Sequence, residues 1–233
     1  MGLFYSPYYG FGPGMIFLLP AIILAMYAQA KVRGTFNKYL QVSNRKGYTG
    51  AQVARAILDR NGLRDVDVEY IGGYLSDHYD PRVKVLRLSP QVFNGTSIAS
   101  ISVAAHEAGH AIQHGVGYVP LTMRNTLAPI ASFGSQAVWM LVLGGFILGW
   151  TGLIDLGILL YMAAVAFQII TLPVEFNASS RAIEQLEIGG FITSEEIRPS
   201  RKVLNAAALT YVAAMAVSIA QLIRLLLLRN RRD

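Results

Sequence analysis

Four stretches of this chain contain no Asp, Glu, Lys, Arg or His: residues 1–30, 125–154, 156–174 and 203–223. A helix needs roughly 20 apolar residues to cross a bilayer core, where every backbone polar group must be bonded inside the segment. The pattern therefore predicts four spanning helices, near residues 13–30, 127–150, 154–173 and 204–224. Buried helices of a large soluble core are the competing explanation, but four such lengths with basic flanks fit a membrane better. Composition agrees: only 15% of residues are charged, against about 25% in a soluble domain. The formal charge of +6 could suggest nucleic acid. The basic residues, however, cluster at the ends of apolar segments, so the expected partner is the lipid bilayer and not nucleic acid.

Ala28-Gln29-Ala30 has the form of a signal-cleavage site, yet no basic residue precedes the apolar run; Lys31, Arg33 and Lys38 follow it instead. An uncleaved anchor is the better expectation. The aromatic N-terminus (Phe4, Tyr5, Tyr8, Tyr9, Phe11) fits an interfacial belt. Lys31, Arg33, Lys38, Arg124, Arg181, Arg198, Arg201 and Lys202 share one side of the four spans, which places the polar regions in the cytosol by the positive-inside rule. Arg229, Arg231 and Arg232 conflict with this if the last segment spans, so an interfacial or re-entrant helix is the alternative there. The expected division is an anchor at 1–30, a hydrophilic region at 31–126, a hairpin at 127–173, a polar helix and loop at 174–203, and an apolar helix with a basic tail at 204–233.

Within the hydrophilic region, Thr49 and Gln52 have the spacing of a capping box, and Val53, Ala54, Ile57 and Leu58 form one helical stripe before Asn61-Gly62. The period then changes to two. Val66, Val68 and Tyr70 alternate with polar residues, as do Val83 and Val85, then Leu86 and Leu88. The Gly72 to Pro81 segment between them reads as a turn-rich connection. Residues 97–115 read as a helix running toward the second span.

That helix carries His106-Glu107-Ala108-Gly109-His110. Positions i and i+4 of a helix lie about 40° apart, so both imidazoles point to one side and can share a metal. Neutral imidazole suits Zn²⁺, and three protein ligands with one open water position describe a catalytic site. Glu107 sits beside that open position, where it can take a proton and later deliver it to a leaving amine. With no cysteine, thiolate zinc sites, iron–sulfur clusters and cysteine nucleophiles are excluded. For the third ligand, Glu175 stands where the third span ends, and the hairpin brings that end beside the HEAGH helix. Glu184 and then Glu187 are the reserves.

Other residues have weaker claims. His114 extends the i+4 ladder, but a second-shell, substrate-side or surface role suits it better than ligation. His78 could donate to a developing oxyanion, or simply occupy a turn. Arg181 could stabilise negative charge near the metal, or be a lipid-facing or salt-bridging arginine. Val83, Val85 and Arg87 form a candidate edge strand for pairing with an extended peptide, or part of a strand paired entirely within the domain.

The stretches LPAIILAMYAQAKVRGTFNKY, GYTGAQVARAILDRNGL, LSDHYDPRVKVLRLS, VAAHEAGHAIQH and LPVEFNASSRA resemble the bacterial membrane zinc metallopeptidases of the YugP type, over almost the whole chain. The order of HExxH, apolar hairpin and Glu-containing helix is more distantly similar to HtpX-like and CAAX-processing membrane proteases. The resemblance implies a mainly α integral membrane protein with about four transmembrane helices and a small cytosolic α/β zincin-like (gluzincin) region holding a short sheet and the HExxH helix. It implies one Zn²⁺ per chain held by His106, His110 and Glu175, with Glu107 as base. A multi-pass enzyme of the bacterial inner membrane that cleaves membrane or membrane-proximal proteins follows, with other membrane proteins as further partners. Relatives often carry Asp where this chain has Asn177, and Arg where it has Ser180; the distant proteases place Asp where Ser179 stands. A carboxylate there would orient a ligating ring. Its loss is the sequence support for a competing reading, a non-catalytic zinc-binding scaffold or adaptor that regulates another membrane protein. Asp155, a lone acid between two spans, supports a weaker transport reading.

Overall fold

The computed structural model of the chain describes residues 14–230; the N-terminal aromatic cluster, Arg231 and Arg232 lie outside them. The order of elements is α1 (Met15–Leu40), α2 (Gly50–Arg60), β1 (Asp67–Tyr70), β2 (His78–Asp80), β3 (Val85–Leu88), α3 (Pro90–Phe93), α4 (Ile98–Gly115), α5 (Val119–Leu148), α6 (Thr151–Ile188) and α7 (Ser194–Arg229). The protein is mainly helical with one small sheet. Its contacts divide it into two compact units. One comprises the described residues up to Tyr27, Arg124–Ile170 and those from Val212 onward; the other comprises Ala28–Met123 and Thr171–Tyr211.

The first unit contains the most apolar parts of four helices, α1, α5, α6 and α7, each long and apolar enough to cross a membrane. Their packed seam is small-residue and aliphatic: Ala131, Val138, Val142, Ile154, Ile158 and Val165 are buried together. Large apolar side chains such as Phe17, Ile23, Phe133, Met140, Leu143 and Ile147 point outward, an arrangement that costs nothing when the surroundings are hydrocarbon. The C-terminal apolar segment belongs to one unbroken helix, the 36-residue α7. Asp155, the acid considered for a transport route, accepts a hydrogen bond from Arg229 Nε at 3.0 Å.

The second unit owes its order to local signals and then to a shared core. Thr49 Oγ1 accepts from the Gln52 amide at 3.2 Å, while Gln52 Oε1 accepts from the Thr49 amide at 2.9 Å, so both halves of the capping box form. The expected stripe Val53, Ala54, Ile57 and Leu58 is fully buried. Gly50 is required by packing: a Cβ there would stand 2.2 Å from the Val92 carbonyl oxygen. Helix α4 starts at Ser97, whose hydroxyl accepts from the Ser100 amide, and buries one side against α2, β3 and the later parts of α6 and α7.

The sheet corrects two expectations. Its order is β1-β3-β2, with β1 parallel and β2 antiparallel to β3. Val85 and Arg87 therefore lie in the central strand. Their backbone groups are shared with Asp67 and Glu69 of β1 on one side and with Asp80 and His78 of β2 on the other. A strand paired on both sides has no free ladder to offer a peptide, so the substrate-edge assignment of Val83, Val85 and Arg87 falls. Val83 is in the turn before β3 and exposed. The second correction is β2 itself, which occupies part of the segment read as a turn-rich connection. Further along, α6 continues through Pro173 without interruption, so the apolar third segment and the polar segment after it are one helix.

The capping box and the α2 stripe make separable contributions. Thr49→Ala is expected to lower stability by about 1 kcal/mol, and Ile57→Ala by about 2–5 kcal/mol. Thermal unfolding of the detergent-solubilised chain should show a small loss for the first and a large one for the second.

Candidate metal centre

The centre is built by α4 and by the part of α6 that follows Pro173. His106 and His110 are one turn apart on α4, and their rings meet edge to face with centroids 4.8 Å apart. Both Nε2 atoms point at Glu175: His106 Nε2 is 3.3 Å and His110 Nε2 3.6 Å from Glu175 Oε2. One ligand atom from each of the three residues lies within 4.8 Å of the others. Glu175 is 2% exposed, so its charge is held in a place where an isolated carboxylate would be costly.

Helix packing brings these groups together. Gly109, inside the HEAGH segment, lies so close to α6 that a Cβ would sit 2.7 Å from the Ala178 carbonyl oxygen. Ala178 is fully buried opposite it. The absent side chain at 109 therefore sets how near the two histidines come to the Glu175 carboxylate.

A hydrogen-bonded chain fixes the rings. Gln113 is completely buried, and its Nε2 donates to the Val174 carbonyl at 2.8 Å and to Asn177 Oδ1 at 3.0 Å. A carbonyl can only accept, so the amide nitrogen must face α6 and the amide oxygen must face His110. Gln113 Oε1 then accepts from His110 Nδ1 at 3.0 Å, which leaves the Nε2 lone pair free to point at a metal. His106 Nδ1 is 3.2 Å from Ser179 Oγ, an arrangement that allows the same tautomer. Arg181 Nε donates to Asn177 Oδ1 at 2.8 Å and closes the chain.

Glu107 faces away from this network. Its Oε2 accepts from the Tyr79 amide of β2 at 3.1 Å, so the small sheet holds the carboxylate at the edge of the centre. His106 and Glu107 also line a cavity of about 140 Å³, together with Asp77, Leu75, Val103, Phe36 and residues of α7. Burial pushes the Asp77 carboxyl above its ordinary range, against two hydrogen bonds from Ser89, and the Glu107 charge adds to the rise. For His110, burial acts downward, but the hydrogen bond its protonated ring gives to the Glu175 carboxylate and the charges of Glu107 and Glu175 outweigh it, so the net shift is upward. The field at the His110 ring is thus negative. Two imidazole nitrogens, one carboxylate and a negative field form a donor set that fits Zn²⁺.

A family model described as "Putative neutral zinc metallopeptidase" matches residues 14–230. The chain belongs to this family. It is 52% identical over 220 residues to the "Putative membrane protease YugP" of Bacillus subtilis (strain 168), covering 94% of this chain and 98% of that relative. No solved structure matches.

The remaining candidates of this family member are placed as follows. His114 Nδ1 is 2.8 Å from the Tyr79 hydroxyl, which ties α4 to β2. His78 turns its Nδ1 to the Ser76 carbonyl at 2.8 Å. Neither belongs to the convergent group among the described residues. Glu184 and Glu187 line a different cleft, shared with Ser180 and Arg201. Asn177, Ser179 and Arg181 all contact the network, and Asn177 accepts from both Gln113 and Arg181. Sequence reasoning missed Gln113, Tyr79 and Asp77. For Gln113 a signal existed, since it stands three residues after His110 and seven after His106, on the same helical face.

Gln113→Leu keeps the volume and removes the amide that orients His110. Metal affinity of the purified chain, measured by competition with a chromogenic chelator, is expected to fall about 10–100-fold with little change in helix content. Gly109→Val should lose metal as well, by forcing α4 away from α6.

Proposed function

We propose that this chain is a membrane-embedded zinc endopeptidase that hydrolyses peptide bonds in membrane or membrane-proximal proteins. The observation that carries the reading is the convergence of His106 Nε2, His110 Nε2 and a Glu175 carboxylate oxygen beside a separately held Glu107. Those three residues would hold the ion. When bound, Zn²⁺ supplies Lewis acidity that polarises the scissile carbonyl and makes water more acidic.

The other steps belong to the protein. Glu107 takes a proton from the attacking water and passes it to the departing amine. The Tyr79 N–H bonds one carboxylate oxygen of Glu107, which keeps the other free and the side chain aimed. Gln113 and Ser179 hold the imidazoles in register. The cavity beside His106 and Glu107 is walled by Leu75, Val103, Phe36 and Leu204, a lining suited to an apolar substrate side chain. Apolar walls also lower the local dielectric and strengthen each charge interaction. The 52% identity to a protein named as a membrane protease supports the same class of activity. The basic residues flanking the spans, Lys31, Arg33, Lys38, Arg198, Arg201 and Lys202 among them, support a cytosolic site.

Glu107→Gln is the decisive variant. It is expected to retain a full complement of metal while peptide hydrolysis falls by about 10²–10⁴-fold. A cellular role that survived this change would favour the zinc-holding scaffold. Glu175→Ala should lose metal and Glu184→Ala should keep it, and elemental analysis of the purified proteins separates the two. Because the chain has no cysteine, a single Cys at Lys46 can report sidedness: a membrane-impermeant maleimide should label it in lysed cells and not in intact ones.

A further inference from the structure

We propose that the second unit carries a binding site for the phosphate of an anionic phospholipid headgroup, separate from the metal centre. Lys31 and Lys38 of α1 and Lys202 of α7 line one open cavity of about 350 Å³ together with Thr35, Asn205 and Leu209. The spacing is that of two facing helix surfaces. Lys31, Thr35 and Lys38 are at i, i+4 and i+7, while Lys202, Asn205 and Leu209 are at i, i+3 and i+7.

Charge and position select the ligand. All three lysines are exposed, and among the described residues none of them forms an ion pair with a carboxylate; Lys84, by contrast, is paired with Asp65. The Lys38 ammonium lies 5.7 Å from the centre of the Tyr39 ring, which partly fixes it without neutralising it. Three uncompensated cations around one concavity call for an anion with several oxygens. Lys31 is the first charge after the apolar stretch of α1, and Lys202 is the last before that of α7. That is where two membrane helices leave hydrocarbon and enter the headgroup layer. Thr35 and Asn205 add neutral hydrogen-bonding groups to the rim, and Leu209 continues the wall toward the apolar part of α7. An ammonium cluster above an aliphatic wall matches a phosphodiester above an acyl chain better than a free soluble anion.

The test is native mass spectrometry of the full detergent-solubilised chain titrated with phosphatidylglycerol, phosphatidylcholine or inorganic phosphate. Phosphatidylglycerol should bind in preference to phosphatidylcholine, and inorganic phosphate should not displace it. K31Q/K38Q/K202Q should weaken phosphatidylglycerol binding on the order of a hundredfold. K31R/K38R/K202R, and a charge-matched control K46Q/R64Q/R198Q, should keep it. Single Gln variants, each expected to lose about fivefold, serve if the triple variant unfolds. Equal binding of the two lipids, undiminished binding by the Gln variants, an equal loss in the control, or displacement by inorganic phosphate would each overturn the proposal. Metal content in the same samples is expected to stay unchanged, so this result stands apart from the outcome for hydrolysis.

Discussion

The close contact between α4 and α6 at Gly109 is the constraint on which the rest of the centre depends. Two histidines one turn apart are only a potential chelate until a third donor arrives, and here that donor comes from a helix 65 positions further along. With the Ala178 carbonyl pressed against the place where a Cβ would be, the two backbones approach at a distance few residue types permit. Side chains of ordinary length then span the gap. The apolar core around Ala104, Ala105, Ala108 and Ala182 continues the same small-residue seam along both helices. Close packing of this kind transmits small errors directly into ligand distances.

Much of this was legible in the sequence because it depends on local rules. The α2 capping box and buried stripe, and the helical spacing of His106 and His110, follow from periodicity and termini. The proximity of Glu175 followed from hairpin logic, since adjacent spans bring their ends together, although nothing local separated it from Glu184. What was not legible is tertiary in origin. β2 has only three residues, His-Tyr-Asp, in a segment of turn-forming composition, and it exists because β3 offers it a ladder. The central place of β3 is set by parallel pairing with β1 on one side and antiparallel pairing with β2 on the other. Gln113 drew no attention because an amide on a helix is usually solvated, and its burial becomes clear only once α6 covers it. Pro173 suggested a boundary, yet α6 runs on through it, since the loss of one amide donor does not undo the packing on either side.

The two departures from the pattern of relatives also look different in three dimensions. The residue that replaces an acid, Asn177, accepts hydrogen bonds from Gln113 and Arg181. An amide oxygen can fill that accepting role as a carboxylate would, with less charge. Ser180 lines the cleft that Glu184, Glu187 and Arg201 share.

The outer partners of the His110 ring are amides, and amides do not gain or lose protons across the range in which proteins stay folded. A carboxylate in the same chain would change from acceptor to donor on acidification and could release the ring. Here the alignment of the imidazole is insulated from that event. Acid acts on the candidate donors and on Glu107 and leaves the amides that align the ring unchanged, so structural registration and chemical competence are governed by different atoms.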